Sequence, residues 1–300
     1  MSVNKLLTRI VAPDIHIEDE KGRHEVMMGL HDYTHGITSD PLTQFGIVFS
    51  ALIHDVDHRG VSNVQLAKEN PSLSNLYKGK SLAEQNSIDL AWDALMMPEF
   101  KDLRNCIYTD AEELRRFRQT VLSVVLATDI FDKELNDLRK QRWKAAFAQK
   151  ESTTQEDINI KATIVIEHLI QASDVSHTMQ HWHVYRKWNE RLFLELTAAY
   201  KAGRMGADPA TFWYKGEIGF FDNYIIPLAK KLKDCNVFGV SSDEYLSYAM
   251  ANREEWEVKG QQIVAELVEK SRFFMAEEGL QDVLEDAEED TLTSPVESLS

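Results

Sequence analysis

The sequence predicts an all-α fold, and three observations carry the prediction. TQFGIVFSALIHD, residues 43–55, is nearly all apolar, which suits a helix buried on most sides. Apolar positions recur at threes and fours through residues 111–128 and through INIKATIVIEHLIQAS at 158–173. No run of alternating strand residues is joined by Asn-Gly or Asp-Gly turns. Three hundred residues, 43% of them hydrophobic, suffice for one large domain or two small ones with a sizeable core.

Taken in order, residues 12–40 carry charge, Pro and Gly and read as a break before the apolar helix at 43–55. PSLSNLYKGKSLAEQNSIDLAWDALM follows, with Ser81 as a capping-type residue three before Glu84. The helix at 111–128 is separated from that at 158–173 by a polar connection, 148–157, and KAGRMGADPA at 201–210 is a further break. From Glu277 the chain turns acidic and then rich in Ser and Thr, with too little apolar content to pack. The expectation is a folded unit over residues 1–272 and an acidic, disordered tail over 273–300.

The net charge of −16 argues against nucleic acid or an anionic membrane as main partner, since both require clustered Lys and Arg. A substrate phosphate would then need local cations, most naturally metal ions. Cys106 and Cys235 make no disulfide framework, which favours a reducing, cytoplasmic setting. The longest apolar runs are about half the roughly 20 residues of a membrane helix, and the N-terminus carries no secretory signal.

The sharpest chemical signal is ALIHDVDHRGVSN at 51–63, where an apolar helix ends in two His and two Asp within five residues. His54 and His58 are four apart and share a helix face. Asp55 follows His54 directly, so its two oxygens can bridge neighbouring metals, an arrangement that fits two-metal hydrolysis of phosphate esters. The alternative is a polar helix end capped by Asp57. A second signal is Asp174 in QASDVSH, which ends the apolar approach IVIEHLI. A carboxylate delivered by a buried helix is costly unless paired or bound to a cation, although Asp174 also suits the N-cap of a helix starting near Val175. His177, His181 and His183 follow, beside Trp182 and Trp188, and read equally as packing or surface residues. LHDYTHGI at 30–37 supplies another pair four apart, His31 and His35, and invites the idea that it completes one metal site with the His54 cluster.

ALIHDVDHRGVSN closely resembles the metal-binding signature of the class I 3′,5′-cyclic nucleotide phosphodiesterases. ATDI at 127–130, ASDVSH at 172–177, YRKWNERL at 185–192 and EIGFFDNYIIPL at 217–228 resemble further motifs in that family's order, so the match runs from about residue 43 to about residue 260. The resemblance implies a compact multi-helix bundle of the HD-type metallohydrolase kind that opens a 3′,5′-cyclic phosphate to the 5′-monophosphate. It makes His54 a ligand of the tighter ion, zinc, Asp55 a ligand of both ions and Asp174 the second carboxylate on the first. His58 would lie beside the bridging hydroxide, with Glu84 supporting the water network. Phe220 and Leu192 would clamp the purine ring. The second ion would be magnesium or manganese, largely water-ligated. The implied partner is the cyclic nucleotide, and a homodimer is the assembly considered.

Four departures from the family pattern matter. Glu217 stands where the pocket segment normally has Gln; an ionised carboxylate only accepts hydrogen bonds, which suits guanine's N1–H and N2–H2 edge and favours cyclic GMP. His177 replaces a usual Asn, and Gln85-Asn86-Ser87 replaces a segment where His is usual. The family's His-Asn-x-x-His-Ala element, source of the leaving-group acid and of another metal ligand, normally precedes the His-Asp cluster by roughly forty residues, whereas His35 precedes His54 by only 19. SVNKLLTRIVAPD instead resembles the latter part of the helix that this element begins. The reading is therefore of an N-terminally truncated catalytic domain, with His31 and His35 in an enlarged loop that also holds IHIEDEKGRHEVM. A catalytically impaired, cyclic-nucleotide-binding module of the same fold is the alternative.

Overall fold

A computed structural model describes the backbone of residues 2–11, 29–148, 154–238 and 241–293, with side chains described as far as residue 272 except at residues 2, 9, 11, 241 and 242. The elements positioned there are helical, and no strand occurs among the described residues. The IHIEDEKGRHEVM insertion lies outside the described residues.

Helix α1 (Ser2–Val11) buries Val3, Leu6, Leu7 and Ile10, a stripe at threes and fours. A short 3-10 turn (Ile37–Ser39) leads into α2 (Pro41–Ile53). Asp40 caps α2, accepting from the Thr43 N–H, and Pro41 occupies the first turn, where no N–H is missed. Helices α3 (Asn63–Glu69), α4 (Pro71–Leu76) and α5 (Leu82–Met96) come next, then α6 (Lys101–Ile107) and α7 (Ala111–Leu126). α2 and α7 lie close together because Gly46 has no side chain there; a Cβ at Gly46 would meet Thr120 Cγ2 at 2.9 Å. Phe45 and Phe49 of α2 pack on Phe117 of α7, joined by Trp92 of α5.

After α8 (Lys133–Ala148), Thr154 and Asp157 form a capping box at the start of α9 (Gln155–Asp174). The helix therefore begins inside the polar connection expected at 148–157. Ile164 to Ala172 of α9 are all buried, making it the central strut of the bundle. It packs against α1, α2, α7, α8 and α12 (Ile226–Asp234), while α10 (Trp182–Lys201), α11 (Pro209–Phe220), a π-helical turn (Phe221–Ile225) and α12 pack on α13 (Ser241–Thr293). The backbone of α13 stays helical beyond residue 273, where the sequence placed the start of a disordered tail.

Two local expectations are corrected. α2 is not buried on most sides, since Leu52 is 79% exposed. Ser81 does occupy the N-cap position of α5, but its φ is 42° and its side chain caps nothing; its hydroxyl donates instead to Asp129 Oδ2 at 2.7 Å.

Candidate metal centre

His54 follows the last residue of α2, and its N–H still bonds the Ser50 carbonyl, so the helix delivers the ring at a fixed angle. Nδ1 lies 3.0 Å from the Ala51 carbonyl, which directs Nε2 toward two carboxylates. Asp55 Oδ2 is 3.1 Å away and Asp174 Oδ1 is 3.5 Å away. One donor atom from each of His54, Asp55 and Asp174 lies within 4.8 Å of the others. Asp174 is the last residue of α9, and no side chain caps the 3-10 turn Ser176–Met179 beyond it, so the N-cap alternative is overturned. The negative ends of α2 and α9 thus meet at one point, each bearing donors suited to a divalent cation. The two carboxylates, by hydrogen bonding, hold the His54 imidazolium to about 10, while His54 pulls Asp55 below the usual carboxylate range. A divalent cation supplies the same compensation, and this N/O donor set fits one.

The chain leaves α2 through a turn with Asp57 at φ 60°. His58 there donates its N–H to the Asp55 carbonyl, and its Nδ1 accepts from the Gly60 N–H at 3.3 Å. In the neutral ring that acceptor role puts the proton on Nε2. Glu84, in the first turn of α5, accepts from Asn63 Nδ2 at 2.9 Å. Burial pushes its carboxyl up, and the Asn63 bond opposes this. Asn63 also accepts from the Ala83 N–H, and its amide lies 3.5 Å from Asp129 Oδ2. Asp129, buried after α7, accepts from Ser81 and from the N–H groups of Phe131 and Asp132. Asn63 and Asp129 lie inside the ALIHDVDHRGVSN and ATDI motifs, which gave neither a role of its own.

The three residues expected at the nucleotide lie along α10 and α11. Leu192 is 44% exposed, and Phe220 is half-buried with its ring stacked on Tyr224. Glu217 is buried, and its Oε2 accepts from the Tyr185 hydroxyl at 2.6 Å. Burial pushes the Glu217 carboxyl up, and the Tyr185 bond opposes it.

Among the described residues, the other histidines do not join this donor group. His177 packs near Trp188, with burial pushing it down to about 4. His181 bonds the Tyr248 hydroxyl at 3.0 Å and lies against His183. His31 Nδ1 bonds Ser39 Oγ, and His35 has φ 54° in the turn that follows. Among the described residues, neither belongs to the donor group of His54.

Known proteins resemble the chain in sequence and in fold. The family model described as 3′5′-cyclic nucleotide phosphodiesterase matches residues 25–240. The chain is 24% identical over 224 residues to a probable 3′,5′-cyclic phosphodiesterase, pde-3, of Caenorhabditis elegans, covering 69% of this chain and 31% of the relative. It is 24% identical over 201 residues to a human dual specificity calcium/calmodulin-dependent 3′,5′-cyclic nucleotide phosphodiesterase 1C, covering 63% and 26%. The chain thus spans about a third or less of the length of these curated relatives. Its fold is similar to the crystal structure of the phosphodiesterase domain of Salpingoeca rosetta rhodopsin phosphodiesterase, with TM-score 0.60 and 20% identity over 90% of this chain and 83% of that one.

Proposed function

The chain belongs to the 3′,5′-cyclic nucleotide phosphodiesterase family, and from that premise we propose that it hydrolyses cyclic GMP or cyclic AMP to the 5′-monophosphate at a two-metal centre. The observation that carries this reading is the convergence of His54, Asp55 and Asp174 within 4.8 Å. His54, Asp55 and Asp174 would hold the tighter ion, zinc, and Asp55 would also serve the second, magnesium or manganese. Bound there, such ions supply hydroxide at neutral pH and offset charge on the phosphoryl oxygens.

The protein's own groups do the rest. His58, with its Nε2–H free to donate, hydrogen-bonds water beside the scissile phosphate. Glu84, tied to Asn63, orders that water without adding a mobile charge. Phe220 and Leu192 take the two faces of the purine, and Phe220 is braced by Tyr224 for that purpose. Glu217 is held by Tyr185 and Asn189, and the remaining lone pairs of its carboxyl would meet the base edge. Ionised, the carboxyl accepts from guanine and favours cyclic GMP; protonated, it also donates and relaxes the preference. Residues 1–272 form the catalytic domain on this reading, and no helix among the described residues is long and apolar enough to cross a membrane.

The test is an assay of the purified chain on cyclic GMP and cyclic AMP with zinc plus magnesium or manganese, and again after chelation. Metal-dependent turnover supports the proposal. Nucleotide binding without turnover in the metal-loaded chain supports the binding-module reading instead.

A further inference from the structure

The LHDYTHGI histidines border a cavity of about 660 Å³ between the 3-10 turn Ile37–Ser39 and helices α2, α7 and α9. That volume lies in the range of small-molecule sites. His35 lines the cavity, with Nε2 buried and without a hydrogen-bond partner; if the ring turns toward the cavity, a bound polar group removes the desolvation cost of that atom. The floor is apolar, from Ile37, Val124 and Ile166, and the rim carries the amides of Gln119 and Asn159. Asp40 and Arg116, the formal charges of the lining, are paired with each other, and Asp40 also caps α2. Burial and the nearby Lys161 charge push the His35 imidazole down, which favours its neutral form.

A neutral histidine, carboxamide groups, an apolar floor and a self-compensated ion pair select an uncharged, flat heterocycle with both donors and acceptors on its edge. Asn and Gln amides match nucleobase edges in this way. The location adds meaning. The same three helices that bound the cavity, α2, α7 and α9, carry His54, Asp129 and Asp174 at or just beyond their C-terminal ends. From the nearest lining residues, Thr43, Val124 and Ile166, roughly 7–17 Å of chain rise separates the cavity from those residues at about 1.5 Å per residue. We propose that this cavity is an effector site for an uncharged nucleoside-class ligand, coupled to the metal centre through these helices. Binding itself does not depend on the chain being a phosphodiesterase; the coupling rests on the metal-centre reading.

Adenosine, guanosine and uridine are the probes, titrated into the full chain by calorimetry while the His35 ring proton is followed by NMR. At least one nucleoside should bind and shift that proton. His35→Ala and Asn159→Leu should each weaken it by about 10-fold, as expected for one lost hydrogen bond, whereas Phe220→Ala should leave it unchanged. Asn159 is exposed, so its variant tests the site even if His35→Ala disturbs the turn. The 5′-monophosphate should bind no more tightly than its nucleoside. Effector coupling requires the nucleoside affinity to differ between zinc-free and zinc-loaded chain, because coupling is reciprocal. No binding at millimolar nucleoside, binding lost in Phe220→Ala but kept in both cavity variants, or tighter binding of the monophosphate would each overturn the site. Equal affinity with and without zinc would overturn its effector role.

Discussion

Two stretches of this chain carry the same ligand types at the same spacing, and the fold treats them differently. His54 and His58 leave the end of a helix anchored in the core, and Asp174 arrives opposite from the end of another. His31 and His35 bracket a turn, with one ring bonded to Ser39 and the other lining a separate cavity. The donors thus gather at His54 because a second rigid element brings Asp174 to it, and the i, i+4 spacing alone gathers none.

The largest effect expected on that contrast is from Asp174→Asn, which removes charge from the meeting point. Turnover should fall on the order of 10³-fold or more, since metal stabilisation of phosphoryl charge is worth several kcal/mol; a loss under tenfold in steady-state kinetics would sever the link between geometry and chemistry. Asn63→Ala and Asp129→Asn leave the donor group in place but remove hydrogen bonds to Glu84 and Ser81, and each should cost about 10–100-fold in kcat/KM. Next comes Glu217→Gln, expected to narrow a cyclic GMP preference by about tenfold, the scale of one hydrogen bond's discrimination. Because burial raises the Glu217 carboxyl, the same preference should decline as pH falls through its titration; a ratio of the two kcat/KM values that is flat with pH would contradict the assignment.

A smaller and subtler effect concerns protons. His54 is raised from 6.5 to about 10 in the metal-free chain, so it is protonated at neutral pH and must lose that proton to bind zinc. Zinc titrations in buffers of different ionisation enthalpy should report close to one proton released per chain at pH 7–8. The sign for stability follows. With the folded value above the unfolded one, the His54 contribution to the metal-free chain is full below pH 6.5 and fades as pH rises toward 10. Denaturation midpoints of the metal-free chain that rise over that window in proportion to His54 would be inconsistent with this pairing.

Much of this was legible in sequence because the signals are local. Periodicity located α7 and α9, and the apolar run ending in His-Asp located α2 and two of the three residues of the donor group. What escaped was set by tertiary meeting. Leu52 reads as core by composition, yet no element among the described residues covers it. Ser81 carries a capping signature, yet Asp129, 48 residues away in sequence, takes its hydroxyl. Asp174 had two readings of equal standing until the position of the helix end decided between them. Glu217 was legible as a departure in residue type, but its bond to Tyr185 and its burial were not.

The contrast between the two histidine pairs is tested most directly by zinc content per chain, measured by mass spectrometry after equilibration with buffered zinc, for the parent, His54→Ala and His35→Ala. The prediction is that His54→Ala loses the tightly held ion and His35→Ala retains it. Loss of zinc in His35→Ala with retention in His54→Ala would place the metal at the other pair and contradict the account.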